Sequence, residues 1–303
     1  TGGQRKAGYE YEIDVRDSLK SSGIEAAEGS DNSLSDIYVK TAGIDKTLGI
    51  EVKLPNAQAG EPTLAYDFDQ GMFIATNPKP QNKDIANLIN ADPSRVRVGE
   101  RLRLVVDAIN AERRKSSKPE IESLLRKISR EEYVNIAQPV LNANPIEIGG
   151  RDIKGALLAI YKISAEILRK YYMLKKAGLV QIKGKGLFHL DPSYKITVGN
   201  NRSTELFEFP EAYGAVYFRN FRGGNYGIRS QLTNSPLKKL PISGIDLDNE
   251  DDRKDFIGMV KTSTFPDPKS IVKGIDSEDG SNDTASEEKD ISEVLRKMIR
   301  EIL

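Results

Sequence analysis

The sequence predicts an α/β protein: a mixed-sheet core in the first third, followed by a helical and β-rich region toward the C-terminus. Three observations predict it. Tyr11, Val15 and Leu19 recur at helical spacing; DIYVK and LGIEVKL alternate apolar and polar residues around a turn; and short alternating segments recur after Gly178. At 303 residues the chain is long enough for more than one core. The expected units are an α/β core over 1–115, a helical linker over 116–150, a basic helix with a β-rich region over 151–245, and an acidic flexible segment over 246–303 that ends in an amphipathic helix.

In chain order, the opening helix is expected to stop at Gly23, with Ile13 on its flank. GSDNSLS reads as a polar loop, TAGIDKT as the turn of a β-hairpin, and GMFIAT as a further strand. DIANLINA and GERLRLVVDAINAERRK read as helices. Residues 116–141 read as broken helix and NANPIEIGG as a hinge. Ile153, Leu157, Ile160, Ile163 and Ile167 then suggest the longest helix, from Asp152 to Ala177. Strands follow in LVQIKG, GLFHL, YKITVG, ELFEF, GAVYFRNF and YGIRSQL. SEDGSNDTASEEKD has the composition of a flexible segment, and Ile291, Leu295, Met298 and Leu303 make a short apolar helix face.

Composition narrows the chemistry. There is no cysteine and one histidine, His189, so thiolate sites, His triads and multi-His metal sites drop out. His189 lies in an apolar strand and is expected to be packed and hydrogen-bonded. Any acid-base or metal chemistry falls to carboxylates, lysines and tyrosines. No apolar run spans a bilayer and TGGQRKAG has no signal-like core, which predicts a cytoplasmic protein without membrane contact. The first residue, Thr1, suits a processed or engineered end. Net charge is zero, but residues 151–240 hold 16 Lys/Arg against 6 Asp/Glu, and 241–303 hold 9 against 16. A basic middle predicts a polyanionic partner.

Strand alternation puts Glu51 and Lys53 on one face and Ile50 and Val52 on the other. A hairpin would set Asp36 beside Glu51, so that two carboxylates and a lysine converge at a sheet edge. Hard cations such as Mg²⁺, or Mn²⁺ in its place, accept one or two carboxylates plus water and phosphate. A metal supplies hydroxide and charge neutralisation for phosphodiester hydrolysis. Lys53 could orient or deprotonate the water, or neutralise developing charge. The same residues also suit a solvated strand face with a cross-strand ion pair. Asp31 and Asp45 are weaker ligand candidates in turn-like sequence.

Asp36, fourteen intervening residues, then Glu51-Val52-Lys53 resembles the PD-(D/E)XK nuclease superfamily, of restriction endonucleases and Holliday-junction resolvases. Glu12, Val15, Leu19 and Gly23 fall on the helix pattern of the resolvase branch, with Glu12 facing inward. The resemblance covers about residues 8–60 and implies a restriction-endonuclease-like core, Glu12 as third acid and metal ligand, a metal-activated water and no covalent intermediate. It makes Ser30, in the approach to Asp36, and Asn56 and Gln58, beyond Lys53, site-adjacent candidates. Ser35 stands where the family often has proline.

DNA-contact candidates lie further on. Lys175, Lys176, Lys183 and Lys185, with Arg169 and Lys170, surround YMLKKAGLVQIKGKG, which resembles the end of a winged helix. Arg219, Arg222 and Arg229 interleave with Tyr217, Phe218, Phe221 and Tyr226, residues suited to base readout or stacking. A solvated basic face accounts equally well for the first cluster, and a β-hairpin with a Gly-Gly turn for the second. The resulting expectation is an Mg²⁺-dependent endonuclease on double-stranded DNA, sequence-specific and of restriction or phage type, acting as a homodimer. A structure-specific nuclease and a non-catalytic DNA-binding or assembly protein are the alternatives, and RNA stays open as substrate.

Overall fold

The structure is a computed structural model that describes residues 2–29, 35–40, 47–57, 60–77, 79–148, 151–190, 195–208, 212–221, 223–232, 237 and 240–262. Its architecture is mixed α/β, as expected. The chain forms two compact units, and neither is continuous in sequence. The first draws its described residues from Thr1–Ala57, Ser164–Ala212 and Asn234–Ser281, the second from Gln58–Ile163 and Tyr213–Thr233.

The first unit is built on a six-stranded sheet, in the order Ala26–Glu28, Ile37–Lys40, Thr47–Lys53, Ala177–Ile182, Gly186–His189, Glu205–Leu206. Its first three strands are antiparallel, and Ile37 pairs with Ile50 as the hairpin pattern predicts. The strand Thr47–Lys53 then pairs in parallel with Ala177–Ile182, a partner more than a hundred residues away. One face carries the core. Tyr11, Val15 and Leu19 of the helix Gly2–Ser21 pack with Ile37, Val39, Ile50, Val52, Leu179 and Leu187. Gly23 ends that helix at φ +88°, a left-handed value that glycine adopts without steric cost.

The second unit holds a seven-stranded sheet whose main path runs Leu157–Ile163, Ala212–Asn220, Tyr226–Leu232, Thr63–Asp67, Met72–Ala75. Helices Pro80–Ala91 and Arg95–Lys115 bury Ile85, Ile89, Leu102, Val105 and Ile109. Among the described residues no helix is long and apolar enough to cross a membrane.

Three sequence expectations are overturned. The long helix from Asp152 to Ala177 is a strand, Leu157–Ile163, followed by a helix over Ala165–Leu174 only. Leu157, Leu158, Ala159, Tyr161 and Ile163 are all buried, and a strand enclosed on both sides mimics a helical stripe. Ser164 then caps the helix, its hydroxyl accepting from the Ile167 N–H at 3.2 Å. Second, 116–150 is no mere linker. Leu124–Leu125 and Lys127–Ile128 pair with strands of the second sheet. Third, the region after 245 is not all flexible: Leu247, Phe256, Ile257 and Val260 sit in the first unit's core. Acidic residues on the outer face of the helix Glu250–Thr262 outweigh its apolar stripe in any compositional average. The expected C-terminal helix and SEDGSNDTASEEKD lie outside the described residues.

Gly49 sits where two stretches of backbone meet closely. A Cβ there would run into the Lys176 carbonyl oxygen and the Ser35 Oγ. We expect Gly49→Ala to destabilise the protein by about 2 kcal/mol, in the range of core overpacking, read as a lower denaturation midpoint. A midpoint equal to that of the wild type would contradict this packing.

Candidate active site

The hairpin register places Asp36, just before the strand Ile37–Lys40, opposite Glu51. The Asp36 Oδ2 accepts the Val52 N–H at 2.8 Å, and the Lys53 Nζ lies 3.3 Å from the same oxygen and 2.5 Å from Glu51 Oε1. Asp36, Glu51 and Lys53 therefore converge as the sequence predicts. They do so on the third of six strands, not at a sheet edge. Ile50 and Val52 enter the apolar layer on the other face, as alternation requires.

A fourth group was misjudged from sequence. Lys175, expected to touch DNA, has a side chain only 8% exposed, and its Nζ contacts Glu51 Oε1. The segment is held by Ser35, fully buried, whose Oγ donates to the Lys175 carbonyl at 3.1 Å. The hairpin residues carry no signal for Lys175, because only the parallel pairing brings it there. Tyr171 and Tyr172, beside it on the helix Ala165–Leu174, also sense the charges: burial first, then Glu51, pushes the Tyr171 hydroxyl up to about 12.

Glu51 is fully buried, and taking a carboxylate out of water costs several kcal/mol unless it is paired. Two ammonium groups pair it. Burial acts to lower the Lys53 pKa, but Asp36 and then Glu51 more than offset it, holding the ammonium well above the usual lysine value. The two carboxylates thus favour the charged form of Lys53. Glu12 is half-buried beside the inward stripe of its helix, not fully inward. Burial, then repulsion from Asp36, raises its pKa to about 7, with Lys53 opposing.

Among the described residues no three Asp, Glu or His side chains gather closely enough to hold a metal ion. Glu12 is therefore not drawn into a three-carboxylate cluster. A two-carboxylate site does fit the residues present. Asp36 and Glu51 offer hard oxygens on one face, and Glu51 Oε2 is buried with no hydrogen-bond partner among the described residues. An orphaned carboxylate oxygen of this kind is a ready cation ligand.

The expected nucleic-acid residues fall in both units. Lys176 is exposed, with φ +60°. Lys183 is exposed with its Nζ 4.8 Å from the Tyr11 ring centre, and Lys185 donates to the Leu240 carbonyl at 2.9 Å. Lys183 and Lys185 lie at the turn of the hairpin formed by Ala177–Ile182 and Gly186–His189, inside the six-stranded sheet. In the second unit Arg219 and Arg229 both pair with Glu61, and Arg229 also stacks over Phe221 at 4.4 Å. Those arginines are tied to a carboxylate and lie on the β-hairpin expected as the alternative to base readout. Asn56 is exposed in the turn after the Lys53 strand. Ser30, Gln58, Arg222, Asp31 and Asp45 lie outside the described residues. His189 is buried, its Nδ1 3.0 Å from Thr204 Oγ1, the packed role expected of it.

No protein-family model matches the chain, and no curated protein does either. One solved structure it resembles is HhaI endonuclease in complex with DNA, with a TM-score of 0.30 and 13% identity over 74% of this chain and 85% of that one. A likeness of that size carries no argument about function, and the geometry above stands by itself.

The Glu12 shift has a measurable sign. A carboxyl whose folded pKa, about 7, exceeds its ordinary 4.5 contributes stability that is complete below 4.5 and lost as pH rises through 7. In metal-free buffer the wild type should lose stability relative to Glu12→Gln between pH 5 and 8. Thermal denaturation across that range checks it, and parallel pH profiles would overturn it.

Proposed function

We propose that this chain is a metal-dependent DNA nuclease of the PD-(D/E)XK type. The observation that carries the reading is the convergence of Asp36, Glu51 and Lys53 on one sheet face, with a Glu51 oxygen buried and unpartnered. Asp36 and Glu51 are the residues that would hold Mg²⁺, with Mn²⁺ as a substitute. When bound, such an ion supplies Lewis-acid neutralisation of phosphate charge and lowers the pKa of water.

The chain's own residues do the rest. Lys53, as an ammonium, orients the phosphate and offsets charge that grows on its oxygens. Glu12, titrating near neutral pH, is suited to accept or return a proton beside the cluster. Asp36 is oriented by the Val52 N–H, which fixes one of its oxygens and leaves the other to a ligand. Double-stranded DNA is the substrate we favour, cut at defined sequences by a pair of copies, because the chain carries a complete second unit beyond the one that holds the cluster. The pattern Glu12, Val15, Leu19, Gly23 favours a second reading, cleavage of branched DNA.

Plasmid, four-way junctions and RNA, each incubated with Mg²⁺ or Mn²⁺, separate these readings. Discrete plasmid fragments are expected, with rates at least a hundredfold lower for Asp36→Asn and Lys53→Met. Selective junction cutting would favour the second reading. If no substrate is cut, the chain is a non-catalytic protein on this scaffold; if both variants cut normally, the assignment of the site to Asp36 and Lys53 fails.

A further inference from the structure

The cluster holds one more cation than a two-carboxylate metal site needs. Glu51 Oε1 meets both the Lys53 and the Lys175 ammonium, while Lys53 is the one ammonium that meets Asp36 among the described residues. Two carboxylates and two ammonium groups are neutral together. A divalent cation added to all four would leave two uncompensated positive charges where the Glu51, Lys53 and Lys175 side chains are almost shut off from water, an arrangement that low polarity makes costly. One ammonium has to leave.

The two lysines are not equivalent. Lys53 is held by two carboxylates and lies on the same strand as Glu51, its backbone paired with Ile182 of the neighbouring parallel strand. Lys175 has Glu51 as the one side-chain partner of its ammonium among the described residues. It also caps the helix Ala165–Leu174, next to the left-handed Lys176, which is exposed. A long flexible side chain at a helix end, held by a single contact, is the one free to turn out toward water.

Resting on the nuclease reading, we infer that Lys175 is a built-in counter-ion that competes with the divalent cation for Glu51. Metal-free, its ammonium fills the cation position and keeps the buried carboxylate paired. Metal entry displaces it, and the freed ammonium adds positive charge next to the place where a phosphate would dock. Affinity for metal alone is thereby low, and it rises when a polyanion supplies the missing negative charge.

Binding of Mn²⁺ to the full chain without DNA, followed by the electron paramagnetic resonance of free Mn²⁺, tests this. Lys175→Gln should bind Mn²⁺ at least tenfold more tightly than the wild type, and Lys175→Arg, which keeps the charge, no more tightly. Equal or weaker binding by Lys175→Gln overturns the competition. A second measurement needs no variant of Lys175: in ¹⁵N-lysine-labelled wild type, a slowly exchanging Lys175 ammonium signal should be present without metal and vanish on saturation with Mg²⁺. A signal that persists at saturation also overturns it. Asp36→Asn separates the two levels. If the wild type binds Mn²⁺, Asp36→Asn does not and Lys175→Gln gains nothing, the competition fails and the nuclease centre stands. If neither the wild type nor Lys175→Gln binds Mn²⁺, both fail.

Discussion

Everything in the first unit is arranged around one buried charge. Glu51 lies on a central strand with no exposure to solvent, and a carboxylate in that position is tolerable only if cations accompany it. Removing one partner from such a pair typically costs about 3–5 kcal/mol. The helix Ala165–Leu174 and the segment after it deliver Lys175, the hairpin delivers Lys53, and the Asp36 carboxylate fixes the second lysine in turn. A well-packed apolar residue at position 51 would serve stability at least as well. One of the Glu51 oxygens has no hydrogen-bond partner among the described residues, so the two lysines satisfy only half of the buried carboxylate.

The sheet achieves this by joining distant chain segments. Pairing Thr47–Lys53 in parallel with Ala177–Ile182 lines up Glu51 with Val180 and Lys53 with Ile182, and it needs the close backbone approach that Gly49 permits. Ser35 locks the same approach from the hairpin side through the Lys175 carbonyl. Catalytic candidates, their counter-ions and the packing that holds them are thus one structure. A change in Gly49 or Ser35 acts on the charges without touching them.

The arginines of the second unit show the opposite economy. Glu61 gathers Arg219 and Arg229, and the Tyr217 hydroxyl donates to it at 2.6 Å. Aromatic and basic residues in alternation look like a reader of bases when met in sequence. In place they form a cross-strand network on a sheet face, where Tyr217 pairs with Arg229.

Local regularities were legible without a structure. Strand alternation assigned Ile50 and Val52 to the core and Glu51 and Lys53 to the other face, and helical spacing identified Tyr11, Val15 and Leu19 as buried, because faces follow from backbone geometry alone. The hairpin that sets Asp36 opposite Glu51 needs only neighbouring residues and a turn. What tertiary structure alone decided was everything that depends on non-local pairing. It made Leu157–Ile163 a strand where spacing suggested helix, drew Phe256, Ile257 and Val260 into a core their composition concealed, and turned Lys175 from a surface cation into the partner of a buried carboxylate. Burial and charge pairing depend on which segments meet, and nothing in the local pattern of residues near 51 specifies a parallel neighbour near 180.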